Sequence, residues 1–261
     1  MDSPYTSETL YHMVGWGVLH DNSIPAEQKD EQCYQRLKMV LEFGFISGAD
    51  QNGVRLQREG IQTFTIDPDG HLRNGDFDGF LVKACYTCYA DIPSECLGLH
   101  TTKYGKFGFG VSSSYLVSLG ARPVIYIPCR SGFIEPPYKG HGLLNNMTEE
   151  FLRLNSVVEE FEDANNPVGP DGYQTIETPH EWSGLSNVIW RDIAVYLKPY
   201  NADLPMDDPE CYYSEREWRL LGNVQVKPPK VKTIVVARGF RERLLQEVPR
   251  AVEFEVLELS S

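Results

Sequence analysis

Apolar residues recur along the chain at two spacings, and these place the elements. Residues 9–16, TLYHMVGW, read as a short strand with His12 inside it. Pro25 and Ala26 then open AEQKDEQCYQRLKMVLEFGF, acidic early and apolar at Leu37, Val40 and Leu41, the stripe of an amphipathic helix. Gly44 is placed to end it, because glycine takes a left-handed cap without a Cβ penalty. Phe45 and Ile46 begin an extended piece, so the opening predicts strand, helix, strand.

Residues 47–79 are rich in Gly, Asp, Asn and Gln, with a brief extended run at Gln62 to Ile66. Within them DPDGHLRNGDFDG reads as a hairpin or irregular loop. Its Asp67, Asp69, Asp76 and Asp78 lack the alternating ligands and terminal glutamate of a calcium-binding EF-hand. Further strands are expected at Phe80 to Tyr89, Phe107 to Val111, Pro123 to Pro128, Trp218 to Leu221 and Lys232 to Ala237. Alternation over Ala251 to Leu259 predicts a closing edge strand. Helices are expected at Leu97 to Tyr104, led in by Pro93, then at Tyr115 to Leu119, Thr148 to Asp163, Trp182 to Tyr196 and Phe240 to Val248. Thr148 is the natural N-cap of the third of these. Short strands with helices inserted irregularly predict an α+β fold, with mixed or antiparallel sheets flanked by helices. No break in composition marks a boundary, so one domain is expected over residues 1–261, with a helical insert around 140–197.

Composition narrows the function classes. The formal net charge of −13 repels phosphate backbones, so no general nucleic-acid binding is expected. No apolar run reaches the roughly 20 residues of a membrane span. MDSPYTSETLYHMV lacks the basic head and apolar core of an export signal, so the expectation is a cytoplasmic protein with reduced thiols. Cys85 and Cys88 form a lone CxxC inside FLVKACYTCYADI. Without a second ligand pair at comparable spacing they read as strand thiols, and no metal is expected. A Cys–His nucleophile pair could use Cys88 or Cys96 with His100; Cys96 and His100, four apart, could share a helix face, but sequence neighbours rarely form a catalytic pair. Walker, nucleophile-elbow and dinucleotide-fingerprint motifs are absent; in GKFGFG, Phe107 and Phe109 alternate as strand residues do.

Two segments concentrate chemistry. CYADIPSECLGLHTTKYGKFGFGVSSSYLVSLGARPVIYI, from Cys88, gathers His100, Lys103, Tyr104 and Ser112 to Ser114. YYSEREWRLLG, from Tyr212, carries Glu215 and Glu217 two apart, leading into an apolar strand. Together with KTIVVARGF they resemble the AbiGi-type family of bacterial abortive phage-resistance proteins, well over residues 80–127 and 211–245 and loosely over 9–46. That resemblance implies anti-phage defence and a family labelled as an antitoxin, hence a toxin or antitoxin partner or a phage component as binding partner. It implies no particular chemistry.

The order of polar residues is similar to the layout of ADP-ribosyltransferases: a histidine on a first strand, a hydroxyl or aromatic group in the middle, and a late glutamate. The similarity implies an enzyme using NAD as substrate, as a transferase or a glycohydrolase. His12 would hold the ribose, Tyr104 or the Ser112, Ser113 run would stack on or contact the nicotinamide, and His100 is a further candidate contact. Glu217 would stabilise the charge that develops as the glycosidic bond breaks, and Glu215, two residues away on the same strand face, would position the acceptor. His12 lacks the glycine-threonine pair that follows the histidine in that layout. On the residues alone, a histidine such as His12 in an apolar strand is more often a satisfied core histidine, and Glu215 and Glu217, interleaved with Arg216 and Arg219, also read as a solvated edge with cross-strand ion pairs. The alternative to an enzyme is a non-catalytic antitoxin or sensor module whose acidic surface binds a partner protein, or whose pocket binds a small ligand.

Overall fold

Tyr11 explains the glycines of the GKFGFG stretch. In a computed structural model, strand β1 (Thr9–Met13) lies antiparallel to β7 (Gly108–Ser112), with Tyr11 opposite Gly110 and Met13 opposite Gly108. A Cβ on Gly110 would come 2.4 Å from Thr9 Cγ2 and 3.0 Å from Tyr11 Cε1, and one on Gly108 would come 2.5 Å from Met13 Sδ. The glycines therefore make a floor on which the β1 side chains lie, while Phe107 and Phe109 are buried in a larger core.

The structure describes residues 7–43, 45–46, 58–62, 64–66, 72–74, 80–129, 153, 193–201, 204–205, 208, 211–221, 225–226 and 230–259. In chain order the remaining strands are β2 (Phe45–Ile46), β3 (Arg58–Gln62), β4 (Phe64–Ile66), β5 (Leu72–Asn74), β6 (Phe80–Ala90), β8 (Arg122–Pro123), β9 (Ile125–Cys129), β10 (Leu197–Asn201), β11 (Glu217–Leu221), β12 (Gln225–Val226), β13 (Val231–Ala237) and β14 (Glu255–Leu259). The helices are α1 (Trp16–Leu19), α2 (Ala26–Phe43), α3 (Leu97–Tyr104), α4 (Ser113–Ser118) and α5 (Arg241–Glu247). The fold is α+β. Most predicted elements are present within a residue or two. The predicted strand over 9–16 is shorter, ending at Met13, because the chain turns at Gly15 into α1. Gly44, the aspartates at 67, 69, 76 and 78, and the predicted helices at 148–163 and 182–192 lie outside the described residues, apart from Arg153, which is helical. The end of the second predicted helix, Ala194–Tyr196, is a 3-10 turn entering β10.

Two compact units are present. The first gathers residues 1–59, 85–124 and 206–261, and it holds the strand path β14-β13-β7-β1-β6-β11-β8. Its pairings are antiparallel except for β13–β14, which is parallel and joined through α5. The pleat sends alternate residues to opposite faces. One face packs Leu10, Tyr89, Phe109, Val111, Leu220, Ile234 and Val236 against Tyr34, Leu37 and Leu41 of α2, Leu116 of α4 and Leu244 of α5. The other packs Tyr11, Met13, Ala90 and Val235 against Leu97 of α3, with Tyr104 partly buried beside them. The sheet is thus covered on both sides, and α3 lies on the face that carries Glu217. The second unit, residues 60–84 and 125–205, contains the parallel pair β9–β10 and the antiparallel hairpin β4–β5. No described helix is long and apolar enough to cross a membrane.

Candidate functional site

Glu215 and Glu217 do not share a strand. Glu215 ends a 3-10 turn, Tyr212–Glu215, and Glu217 begins β11. Arg216 between them is left-handed, with φ 45°, which resets the direction of the chain. Non-glycine residues rarely hold this conformation, so the surroundings must fix it. They do so through Asp91: its backbone N–H donates to Arg216 O at 3.2 Å, and Arg216 Nη2 donates to Asp91 Oδ2 at 3.0 Å. Asp91 Oδ1 also accepts from Ser7 N at 3.0 Å.

Neither glutamate forms a solvated edge. Glu215 is 4 % exposed, Glu217 5 % and Arg219 6 %, so the ion pairs are internal. Two charge centres result. At the first, Oε1 of Glu215 accepts from the Tyr104 hydroxyl at 2.7 Å and from Lys103 Nζ at 3.2 Å. Tyr104 in turn lies against the His100 ring, centroids 4.6 Å apart, and Lys103 sits 4.6 Å from the centroid of the Tyr212 ring. Helix α3 supplies His100, Lys103 and Tyr104 from successive positions of its last turns, and Gly105 at φ 84° closes it.

At the second, Oε1 of Glu217 accepts from Arg219 Nε at 2.6 Å and from the Cys88 thiol at 3.1 Å. Register explains the meeting: Arg219 stands opposite Cys88, and Glu217 is two residues before Arg219 on the same face. Burial opposes the charge on Arg219, but Glu217 beside it outweighs that cost and the guanidinium holds its proton more tightly than usual. The guanidinium also lies 4.9 Å from the centroid of the Tyr86 ring, a cation–π contact on the same strand face.

His12 is on the other side of the sheet. Tyr11, Ala90 and Glu217 are in register across β1, β6 and β11, which puts the Tyr11 and Glu217 Cα atoms about 10 Å apart, two strand spacings. The pleat then turns His12 away from Glu217. Its ring packs 5.4 Å from Phe109 and 5.8 Å from Tyr89, in the face covered by α2. His12 Nδ1 is 2.7 Å from Cys88 O, and since a carbonyl only accepts, Nδ1 carries the proton. The expectation that an early imidazole and a late carboxylate share one crevice with the Lys-Tyr-Gly corner is therefore corrected by a single step of strand alternation.

The serines are not part of either centre. Ser112 pairs with Thr9 at the far end of β1, and its hydroxyl is 2.8 Å from that of Ser114. Ser113 N donates to Glu8 O at 2.9 Å. Tyr104, by contrast, lies beyond the Met13 end of β1, where its carbonyl accepts from Gly15 N at 3.0 Å. Of the residues singled out from sequence, the structure brings together Tyr104, His100 and Glu215; it places Glu217 with Arg219 and Cys88. Arg219 and Cys88, expected from the sequence as an edge ion-pair residue and a strand thiol, complete the second centre. The E-x-R spacing of β11, which puts Glu217 and Arg219 on one face, was the available signal. Among the described residues no group of three His, Cys, Asp or Glu is placed to hold a metal ion.

Comparison with known families decides the kinship. Residues 74–240 match the family model described as "Putative abortive phage resistance protein AbiGi, antitoxin". The chain belongs to the AbiGi family. The matched stretch contains α3, β7 and β11, and so both charge centres, whereas β1 and β14 lie outside it. No curated protein and no solved structure matches the chain significantly.

Proposed function

We propose that this AbiGi-family chain is the binding half of an abortive-infection pair, an antitoxin that holds a basic protein partner. The observation that carries this reading is the internal neutralisation of Glu215 and Glu217. ADP-ribosyl transfer or NAD hydrolysis needs a carboxylate offered to a ribose hydroxyl, in a site open to the cofactor. Here each glutamate is buried against its own cation, Lys103 or Arg219, and His12 lies on the opposite sheet face. Such pairs hold local geometry in place. The formal charge of −13 supplies the recognition: it speeds encounter with a basic partner and disfavours acidic ones.

The test is co-expression with the protein encoded beside it. The neighbour alone is expected to arrest growth, this chain to relieve the arrest, and the two to elute as one complex that weakens with salt. A phage component that binds in place of the neighbour would move the chain from antitoxin to sensor. Release of nicotinamide from NAD by the purified chain, abolished by Glu217→Gln, would overturn the binding reading in favour of catalysis.

A further inference from the structure

Among the described residues strand β14 ends the sheet, and its only edge defence is charge, in the exposed Glu255 and Glu258. It runs five residues, Glu255 to Leu259, in unbroken parallel register with β13, from Thr233 opposite Glu255 to Ala237 opposite Leu259. No proline, lysine or bulge interrupts it. The opposite edge, β8, is two residues long and contains Pro123, which cannot donate to a further strand. Natural sheets commonly blunt their edges by such devices, and a long regular edge without them is a template for another strand. Along β14, Val256, Leu257 and Leu259 are only half-buried, and Val252 just before it is 72 % exposed, the most exposed large apolar residue among those described. Three carboxylates flank this apolar row: Glu253, Glu255 and Glu258 are all exposed. Glu258 is held in place by the Gly239 backbone N–H, 2.5 Å from its Oε1.

We propose that the β14 edge is the docking surface for an extended basic segment of a partner protein, added as one further strand. This rests on the antitoxin reading and names the surface it would use. Backbone hydrogen bonds supply the affinity of strand addition, and side-chain charge supplies its selectivity. Charge complementarity chooses the occupant. A second copy of this chain would bring the same three glutamates and the same net charge of −13 to the interface, and like charges across paired strands are destabilising. A strand reading lysine, apolar, apolar, lysine instead sets cations opposite Glu255 and Glu258 and apolar groups opposite Val256 and Leu257.

The probe is a synthetic peptide of lysine and valine, seven residues long, in which two lysines flank a central valine pair. Its control has the same charge but a central proline, which blocks strand pairing. With the full chain, hydrogen exchange at residues 255–259 is expected to slow on adding the lysine–valine peptide and to stay unchanged with the control. The pair Glu255→Lys with Glu258→Lys is expected to weaken binding about tenfold or more, through loss of attraction and added repulsion. The pair Glu255→Gln with Glu258→Gln, which keeps size, gives an intermediate loss. Equal binding of both peptides, protection elsewhere, no binding, or self-association through β14 in sedimentation would each overturn the assignment. If the natural partner binds the charge-reversed chain normally, the docking surface is wrong and the antitoxin reading stands. If the neighbouring protein does not bind at all while β14 still takes the peptide, the reverse holds.

Discussion

The Tyr104 hydroxyl donates to Glu215 Oε1 at 2.7 Å, joining residues 111 apart in the chain. This bond ties the end of α3 to the turn that delivers β11. Removing the hydroxyl leaves Glu215 Oε1 its contact with Lys103 Nζ at 3.2 Å. Tyr104→Phe is expected to cost about 1.5–3 kcal/mol, the range for a hydrogen bond to a charged group. Urea denaturation measures it. A double-mutant cycle with Glu215→Gln should show strong coupling, and additive effects would mean that the bond is not formed.

The Glu217–Arg219 pair is buried on both sides, so its two halves are unequal to its whole. Arg219→Met strands a buried carboxylate and is expected to destabilise by about 3–5 kcal/mol. Adding Glu217→Leu removes the stranded charge, and the double variant should recover most of the loss. Thermal unfolding of the three proteins decides it. A double variant as unstable as Arg219→Met would show that packing around the guanidinium, over Tyr86, dominates the charge.

Two glycines should respond to alanine with opposite signs. A Cβ at Gly15 would sit 2.5 Å from Tyr104 O and 3.0 Å from Cys33 Sγ, and backbone cannot move aside cheaply. Gly15→Ala is therefore expected to destabilise by about 1–3 kcal/mol. At Gly98, in the first turn of α3, nothing lies within 4 Å of the added atom. Gly98→Ala is expected to stabilise by roughly 0.5–1 kcal/mol through helix propensity. Denaturant midpoints of both variants provide the check.

Acid should loosen the contact between α2 and α5. Hydrogen bonds from Arg243 and then Gln35 hold the Glu31 carboxyl down at about 2, against an ordinary value of 4.5. Because the folded value lies below the unfolded one, the contribution is complete above pH 4.5 and is lost as pH falls toward 2. Glu31 is exposed enough for water and salt to screen much of this, so the effect is modest. Glu31→Gln is expected to lower the urea midpoint at neutral pH, with the gap from wild type closing in acid. A gap that stays constant with pH would assign the effect to shape alone.

Much of the fold was legible because local patterns agreed with their surroundings. Helix α2 showed itself through Leu37, Val40 and Leu41, which do face the core. The alternation of Phe107 and Phe109 with glycines gave β7 its strand character, although only the structure shows that the glycines make room for Tyr11 and Met13. The site was harder to read. Placing Glu215 and Glu217 on one face assumed an unbroken strand, and a left-handed Arg216, anchored by Asp91 from a distant segment, broke it. Placing His12 with Glu217 required a face assignment that depends on pairing with β6, and pairing is a long-range property absent from any local window. The burial of Arg219 was hidden for the same reason, since Cys88 stands opposite it and Tyr86 packs against it from the neighbouring strand β6.

Strand β1 precedes the other described strands in the chain yet stands between β7 and β6, with β11 beyond β6 and β13 and β14 beyond β7. A nascent chain leaving the ribosome therefore carries β1 unpaired until β6 emerges to meet it at Tyr11, its other edge waits for the Gly108 segment, and the sheet closes only when the C-terminal strands arrive. Assembly from such distant pieces is intrinsically slow. The interval exposes an apolar ribbon to chaperones and proteases, and a chain truncated before Val231 would be a substrate for them rather than a smaller working protein.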